Sequence, residues 1–196
     1  MTNFARESIL GSIRTHLAAS APLDNHHVNP VNPVILSKTA SDSSLLDVFK
    51  QSLESVAGHC IITTDVTDSL KKIIADLNAR RIATSDDAPN AQDIFDYDVG
   101  ISSAQAAIAE TGTLVLDSAQ EKHRLVSLVP PVHIAIINAS CIVETLGDAL
   151  ALLQKKEISP AITFITGPSR TADIELTLAI GVHGPQQLYV IVDGSK

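Results

Sequence analysis

Helix-like stretches alternate with short apolar stretches in the first half of the chain, and this alternation constrains the fold more than any other feature. Ser43 or Ser44 can cap a helix that carries apolar residues at helical spacing. Residues 60–63 form a short run rich in β-branched residues, which is typical of a strand. Thr67 can cap the next predicted helix, and residues 81–84 form the next short strand. Such alternation predicts an α/β domain with a mostly parallel sheet flanked by helices.

The second half of the chain is richer in strand-like segments than the first. Most of these segments are apolar runs bounded by glycine, proline or polar residues. We predict a helix over 145–155, with leucines at helical spacing facing inward, and a buried strand over 161–166. The other predicted strands or extended segments are 97–101, 105–109, 113–117, 125–129, 132–138, 141–143 and 188–192.

The N-terminal segment differs in composition from the rest of the chain. Apolar residues recur at near-helical spacing and predict an amphipathic helix over residues 3–19. Residues 21–34 are rich in Asn, Pro and His, which is typical of a linker or an extended loop. We therefore expect two parts, a helix with its linker over 1–34 and the α/β domain over 35–196.

Charge and cysteine content argue against several functions. The chain has 196 residues and a net charge of −8, whereas binding to a phosphate backbone needs clustered Lys and Arg, so we expect no nucleic-acid binding. Its two cysteines are too few for an iron–sulfur cluster or a cysteine-based zinc site on one chain. No apolar run approaches the roughly 18 to 20 residues of a membrane span. We expect a cytoplasmic protein with neither a secretory signal nor a membrane span.

The most distinctive polar segment is Thr166–Glu175, which follows an apolar strand and turns at a Gly-Pro pair. It is expected to enter a short helix, whose free backbone N–H groups attract anions. Arg170 can hold a carboxylate or a phosphate with two parallel hydrogen bonds. Asp173 or Glu175 can orient it, bind a cation or exchange a proton. The alternative is a capped turn in which Arg170 is solvated.

Two further turns place glycine beside residues that can carry chemistry. In Ala109–Thr113, Glu110 is a candidate nucleophile or base, and the neighbouring glycine lets a ligand approach the backbone closely. In Ile180–Pro185, His183 stands between two glycines and suits proton transfer. The alternatives are an ordinary polar turn and a hydrogen-bonded loop anchor. The histidines show no spacing typical of metal ligands, so we predict no metal.

The three motifs together occur in an order typical of one protein family. They are Ala-Glu-Thr-Gly-Thr at 109–113, Thr-Gly-Pro-Ser-Arg-Thr-Ala-Asp-Ile-Glu at 166–175 and Gly-Val-His-Gly-Pro at 181–185. In this combination the chain resembles the lactate utilization protein C family, which has the LUD domain, formerly DUF162. The resemblance implies a fold similar to NagB, RpiA and the CoA transferases, to which the N-terminal helix is an appendage.

The resemblance also implies a function. The family takes part in the oxidation of L-lactate to pyruvate together with two companion proteins that contain iron–sulfur regions. This chain has no nicotinamide or flavin fingerprint such as Gly-x-Gly-x-x-Gly and is expected to carry no cofactor of its own. Electrons would then travel on the partner proteins. This chain would be an accessory subunit that binds a small carboxylate or another anion, such as phosphate.

We expect the three motifs to converge on one cleft at the carboxyl ends of the strands. Glu110, Asp173 and His183 are the candidate catalytic residues. The candidate ligand-binding residues lie in the same motifs and are Thr111, Gly112, Thr113, Gly167, Pro168, Ser169, Arg170, Thr171, Glu175, Gly181 and Gly184.

Two other functions are compatible with these residues. The chain could be a stand-alone enzyme on a phosphorylated or CoA-linked metabolite, with Glu110 as nucleophile or base. It could also be a structural scaffold, in which the helix over 3–19 joins subunits, including further copies of the same chain. Loss of turnover in Glu110→Gln would favour the enzyme, whereas loss of assembly without residues 1–20 would favour the scaffold.

Overall fold

The computed structural model describes residues 2–19, 44–85, 92–121, 123–153, 159–171, 179–181 and 183–195. The chain divides into two compact units, Met1–Thr39 and Ala40–Lys196. In the first unit, helix α1 spans Thr2–Ala19, where a helix is predicted, and the apolar side chains of Ile9 and Ile13 are exposed. No helix among the described residues combines the length and the apolar character needed to cross a membrane.

The second unit contains three further α-helices and eleven strands in its described residues. The helices are α2 (Leu45–Ser55), α3 (Val66–Asp76) and α4 (Leu146–Leu153). The strands up to the middle of the unit are β1 (His59–Thr63), β2 (Ile82–Thr84), β3 (Val99–Ser103), β4 (Ala106–Ile108), β5 (Thr113–Asp117) and β6 (Val132–Asn138). The remaining strands are β7 (Ile142–Val143), β8 (Ile162–Ile165), β9 (Arg170–Thr171), β10 (Ala179–Ile180) and β11 (Gln187–Asp193).

The strands form two principal sheets and one small ribbon. The parallel sheet has the order β1-β11-β6-β3-β2, and all of its neighbouring strands run parallel. The mixed sheet has the order β7-β4-β5-β8, in which β4 pairs antiparallel with β5 and parallel with β7. Strands β9 and β10 form an antiparallel ribbon. The predicted α/β class with a mostly parallel sheet flanked by helices is confirmed, whereas the sequence pattern does not predict the separate mixed sheet.

The two sheets and helix α2 share one apolar core. Phe49 and Leu53 of α2 are fully buried and pack in one cluster with Leu114 of β5 and Val190 of β11. Helix α3 covers the opposite face of the parallel sheet, and α4 packs on the mixed sheet through Ala149. Burial of these side chains supplies the main stabilisation of the domain.

The two cysteines lie at the periphery of this core. Cys60 and Cys141 are free and half-buried, and both pack against the cluster that contains Phe49. Burial raises the pKa of the Cys60 thiol to about 11. This thiol is therefore protonated and unreactive at neutral pH, as expected for a cysteine that serves packing.

Two strand predictions need correction. Residues Arg124–Ser127 form a 3-10 helix instead of a strand over 125–129. Pro130 and Pro131, which directly follow the predicted strand, lack the amide donors that a central strand needs. The chain therefore forms a helical turn before it enters β6. The segment predicted as a buried strand over 161–166 lies at the edge of the mixed sheet, where Phe164 is 42% exposed.

The start of α3 also differs from the prediction. The N-cap is Asp65 rather than Thr67, because the Asp65 carboxylate accepts a hydrogen bond of 2.9 Å from the backbone N–H of Asp68. We expect Asp65→Ala to lower the free energy of unfolding by about 1 kcal/mol, since it leaves a helix N–H group without its acceptor. Thr67→Ala is the matched control and should change it by less than about 0.5 kcal/mol. Urea unfolding of both variants measures this, and equal losses would contradict the assignment.

Candidate functional site

A cleft of about 480 Å³ lies where β8 ends, and we call it the Arg170 cleft. Its size falls within the roughly 300–1,000 Å³ of small-ligand sites. Two of the predicted motifs contribute most of its polar groups. The lining residues are Val56, Ser127, Leu128, Thr163, Phe164, Ile165, Thr166, Gly167, Pro168, Ser169, Arg170, His183, Gly184 and Pro185.

Backbone hydrogen bonds hold the two motifs together. The N–H of Ser169 donates to the carbonyl of Pro185 at 2.8 Å, and the N–H of Gly181 donates to the carbonyl of Ser169 at 3.1 Å. Gly167 has a φ of +78°, and a Cβ at this position would lie 2.5 Å from the carbonyl oxygen of Val56. The turn therefore packs closely on the end of α2, which only glycine permits.

Arg170 and His183 are the ionisable residues in the described lining of this cleft. Both side chains are exposed, and Nη2 of Arg170 donates to the carbonyl oxygen of Val56 at 3.3 Å. This bond leaves the other guanidinium N–H groups available to a ligand. No ion pair joins Arg170 to an acid in the described part of the chain. The arrangement suits recognition of a carboxylate or a phosphate.

The backbone at Arg170 is not that of the predicted helix. Arg170 and Thr171 form strand β9, which pairs with Ala179 and Ile180 of β10. A helix N-terminus therefore does not begin at Arg170, because these residues already form the ribbon. Residues 172–178, with the candidates Asp173 and Glu175, lie outside the described residues.

The Gly181–Gly184 motif does not lie at the predicted carboxyl end of the parallel strands. It precedes β11 and thus stands at the amino end of that strand. The N–H of Gln186 donates to the carbonyl of Pro131, which precedes β6 at the same edge. The expectation that all three motifs follow carboxyl ends of strands is therefore wrong for this motif. The chain reaches the cleft through the β9–β10 ribbon, which sequence periodicity does not reveal.

The motif with Glu110 lies next to the cleft without lining it. Glu110, Thr111 and Gly112 form the turn between β4 and β5, and the side chains of Glu110 and Thr111 are exposed. A chain of hydroxyl groups connects this turn to the cleft. Thr111 Oγ1 lies 2.6 Å from Thr113 Oγ1, which lies 2.7 Å from Oγ1 of the cleft residue Thr166. The catalytic role of Glu110 stays a prediction.

Three buried polar residues outside the sequence motifs form a separate network. Ser102 Oγ is hydrogen-bonded to Nε2 of His133 at 2.8 Å, and Ser102 also hydrogen-bonds to the carboxyl group of Glu121. Ser102, His133 and Glu121 are 3%, 0% and 5% exposed. A histidine within the apolar strand β6 is the one sequence signal that points to this network.

Burial shifts the pKa of both ionisable members of this network. Desolvation raises the pKa of Glu121 to about 7, although the hydrogen bond with Ser102 opposes the shift. Desolvation lowers the pKa of His133 to about 4, so its imidazole is neutral at pH 7. Among the described residues, no partner reaches Oε1 of Glu121 or Nδ1 of His133.

The network has a different geometry from a Ser-His-acid catalytic triad. In a triad the acid orients the histidine through Nδ1, and the serine is open to substrate. Here Glu121 contacts Ser102 instead, Nδ1 of His133 has no partner in the described structure, and Ser102 is buried. This geometry does not activate Ser102 as a nucleophile. Among the described residues, no group of three or more His, Cys, Asp or Glu side chains is placed to hold a metal ion.

Comparison with known proteins identifies close relatives of the chain. Residues 34–192 match the LUD domain. The chain is 30% identical over 179 residues to lactate utilization protein C of Anoxybacillus flavithermus, covering 78% of this chain and 81% of the relative. It is 33% identical over 190 residues to lactate utilization protein C of a Geobacillus species, covering 78% and 79%. An uncharacterized protein of Neisseria meningitidis is 35% identical over 156 residues, covering 76% and 67%.

A solved structure shares the fold. The crystal structure of a DUF162 family protein from Deinococcus radiodurans superimposes with a TM-score of 0.62. The match covers 76% of this chain and 96% of that protein at 22% sequence identity. At this identity the similarity establishes the fold alone.

Proposed function

The chain belongs to the LUD domain family, and we propose that it is a cytoplasmic subunit of an L-lactate utilization system that binds a small carboxylate in the Arg170 cleft. Relatives that match most of the chain carry the name lactate utilization protein C. Lactate and its oxidation product pyruvate are both small carboxylates. The name of these relatives and the suitability of the cleft for a carboxylate therefore support the same proposal.

One observation carries the proposal, namely an accessible guanidinium that forms no ion pair with any acid that the structure describes, in a cleft of small-molecule size. Arg170 can bind both oxygens of a carboxylate through two parallel N–H···O bonds. His183 stands on the same cleft and adds a second hydrogen-bonding group. The net charge of the chain does not oppose this, because charges more than about 8–10 Å away are screened at physiological salt.

The proposal assigns electron transfer to other subunits. The sequence holds two cysteines, and both are half-buried beside the apolar core. In the proposed system, two companion proteins with iron–sulfur regions oxidise L-lactate, and this chain contributes carboxylate binding. Its ligand groups are thus Arg170 and His183 with the backbone of Gly167–Ser169.

The binding site is tested with pyruvate and three forms of the full-length chain. Pyruvate at 100 times its dissociation constant should stabilise the native protein by about 2.7 kcal/mol and raise the melting temperature by several degrees. Arg170→Ala should weaken binding at least about tenfold, since it removes a charge-assisted hydrogen-bonding group. Arg80→Ala removes an exposed arginine that does not line the cleft and should bind as the wild type does. Equal binding by all three proteins would refute the assignment of Arg170.

The same variants test the role in the cell. A strain that lacks this protein should fail to grow on L-lactate, and the wild-type and Arg80→Ala proteins should restore growth. Arg170→Ala should restore it poorly although the folded protein is present. Normal growth of the deletion strain, in the absence of a second copy of the gene, would exclude the proposed system.

A further inference from the structure

A second cavity, of about 720 Å³, lies beside the loop that leads from β5 to β6, and we call it the Glu121 cavity. Leu125, Leu128 and Pro160 are its apolar lining residues, and the other described lining residues are polar. Leu128 also borders the Arg170 cleft, but the described linings of the two sites share no charged residue. The Glu121 cavity is thus chemically distinct from the site proposed above.

Two exposed basic side chains belong to the polar lining of this cavity. His123 and Arg124 both line it, and both are exposed. Neither forms an ion pair with an acid in the described part of the chain. An unpaired guanidinium beside an imidazole favours an anionic group on a ligand.

Glu121 also lines this cavity, but its carboxyl group calls for a hydrogen-bond donor, whereas the two basic side chains favour an anion. It is 5% exposed, and no donor among the described residues reaches its Oε1. Ser102, whose Oγ lies 2.8 Å from Nε2 of His133, hydrogen-bonds to the carboxyl group of Glu121. A buried acceptor without a donor is costly, so a ligand that brings a donor to this carboxyl group gains affinity.

We propose that the Glu121 cavity is a second ligand site, which takes a small organic acid with a hydrogen-bond donor on the carbon next to its carboxylate. Arg124 and His123 bind the carboxylate, Glu121 accepts the hydrogen bond of the donor, and Leu125 and Leu128 contact the apolar side chain. 2-Hydroxy acids and 2-amino acids share this chemistry. A 2-oxo acid presents an acceptor instead, which an ionised Glu121 repels.

This inference goes beyond the proposed function, because the Arg170 cleft has no comparable selectivity. No carboxylate side chain lines the Arg170 cleft among its described residues, so a 2-oxo acid and a 2-hydroxy acid should bind there similarly. The Glu121 cavity should distinguish them. A site that hydrogen-bonds a ligand hydroxyl group rejects an analogue that lacks it, since the buried partner is then left unpaired.

The test is a nuclear magnetic resonance titration of the full-length, ¹⁵N-labelled chain at about pH 8.5, where Glu121, with a pKa of about 7, is ionised. L-Lactate should shift backbone amides of 118–128 and of 167–170 in a saturable way, and Ser127 and Leu128 are left out of the first group because they also line the Arg170 cleft. Pyruvate should shift the amides of 167–170 and bind at least about tenfold more weakly at 118–128. L-Alanine in parallel shows whether hydroxy acids or amino acids bind more tightly at 118–128, and either result supports the site.

Variants separate the second site from the first. Arg124→Ala should abolish the L-lactate shifts at 118–128 and keep those at 167–170, whereas Arg170→Ala should do the reverse. Arg124 is exposed, so its replacement is not expected to unfold the chain. Glu121→Gln should reduce the preference for L-lactate over pyruvate to less than about threefold, because an amide both donates and accepts.

The second site is overturned if neither L-lactate nor L-alanine causes saturable shifts at 118–128. It is also overturned if pyruvate binds there as tightly as L-lactate, or if Arg124→Ala leaves those shifts intact. Shifts at 167–170 that persist in each of these cases would leave the Arg170 cleft unaffected, so the two proposals fail separately.

Discussion

Gly112→Ala should destabilise the domain by about 2–5 kcal/mol and lower its melting temperature by about 5–15 °C. Gly112 has a φ of +65°, where an L-residue pays about 1–2 kcal/mol. A Cβ at this position would also lie 2.4 Å from the backbone nitrogen of Leu53 and 2.6 Å from its Cα. These are backbone atoms of α2, so the contact is relieved only if the helix and the β4–β5 turn move apart.

The control for this variant is Gly147→Ala. Gly147 lies on the exposed face of α4, and a Cβ there would make an ordinary contact of 3.6 Å with Oγ1 of Thr145. Alanine favours the helix, so this variant should be as stable as the wild type or more stable by up to about 1 kcal/mol. Thermal unfolding of the three proteins measures both effects. A Gly112→Ala protein with wild-type stability would show that the turn does not pack on α2 in this way.

The stability of Gly112→Ala shows whether the glycine of the Ala-Glu-Thr-Gly-Thr motif is required for packing. Gly112 is a candidate ligand-binding residue in the sequence, because glycine lets a ligand approach the backbone. The structure supplies a packing role for the same glycine, since α2 approaches the turn closely and Ser52 donates to the carbonyl of Glu110 at 3.3 Å. A glycine requirement at this turn therefore does not by itself indicate a ligand.

Local periodicity predicts most secondary structure of the α/β domain. Strands β5 and β6 have the predicted bounds 113–117 and 132–138. Ser44, one of the two predicted caps, is the N-cap of α2, and its side chain accepts a hydrogen bond from the N–H of Asp47. These features depend on neighbouring residues, which a sequence shows directly. The arrangement of strands depends on distant residues instead. Apolar runs of similar character enter the parallel sheet and the mixed sheet, so periodicity does not distinguish them.

The difference between local and long-range contacts also explains which site residues the sequence predicts. Gly167–Arg170 and His183 stand in turns rich in glycine and proline, which mark them in the sequence, and the structure brings them to one cleft. Ser102 and His133 lie on the neighbouring strands β3 and β6, and Glu121 comes from a loop. No short motif joins these three residues, because their contact depends on strand order and on the path of the loop.

The buried pair Glu121 and His133 should have opposite effects on the pH dependence of stability. Burial raises the pKa of Glu121 from 4.5 to about 7, so the folded chain keeps a proton that the unfolded chain releases between these values. The free energy of unfolding then falls as the pH rises through this window, by about 3 kcal/mol. Burial lowers the pKa of His133 from 6.5 to about 4, so the unfolded chain binds a proton that the folded chain excludes. The free energy of unfolding then falls by a similar amount as the pH drops through that window.

The two effects nearly cancel in the wild-type protein, and single substitutions should reveal each of them. Relative to the wild type, the free energy of unfolding of Glu121→Gln should rise by about 3 kcal/mol between pH 4.5 and 7, because the unfavourable ionisation of Glu121 is removed. That of His133→Gln should fall by about 3 kcal/mol between pH 4 and 6.5, because the opposing effect of His133 is removed. Urea unfolding across this range measures both differences. Contributions from other groups are common to all three proteins and cancel, including Asp98, whose pKa is lowered by hydrogen bonds from the backbone N–H groups of Arg81 and Arg80. If the difference in free energy of unfolding between a variant and the wild type does not change with pH, the substitution has only removed packing. If the two differences change with pH in opposite directions, folding itself holds a proton on Glu121 and keeps one off His133.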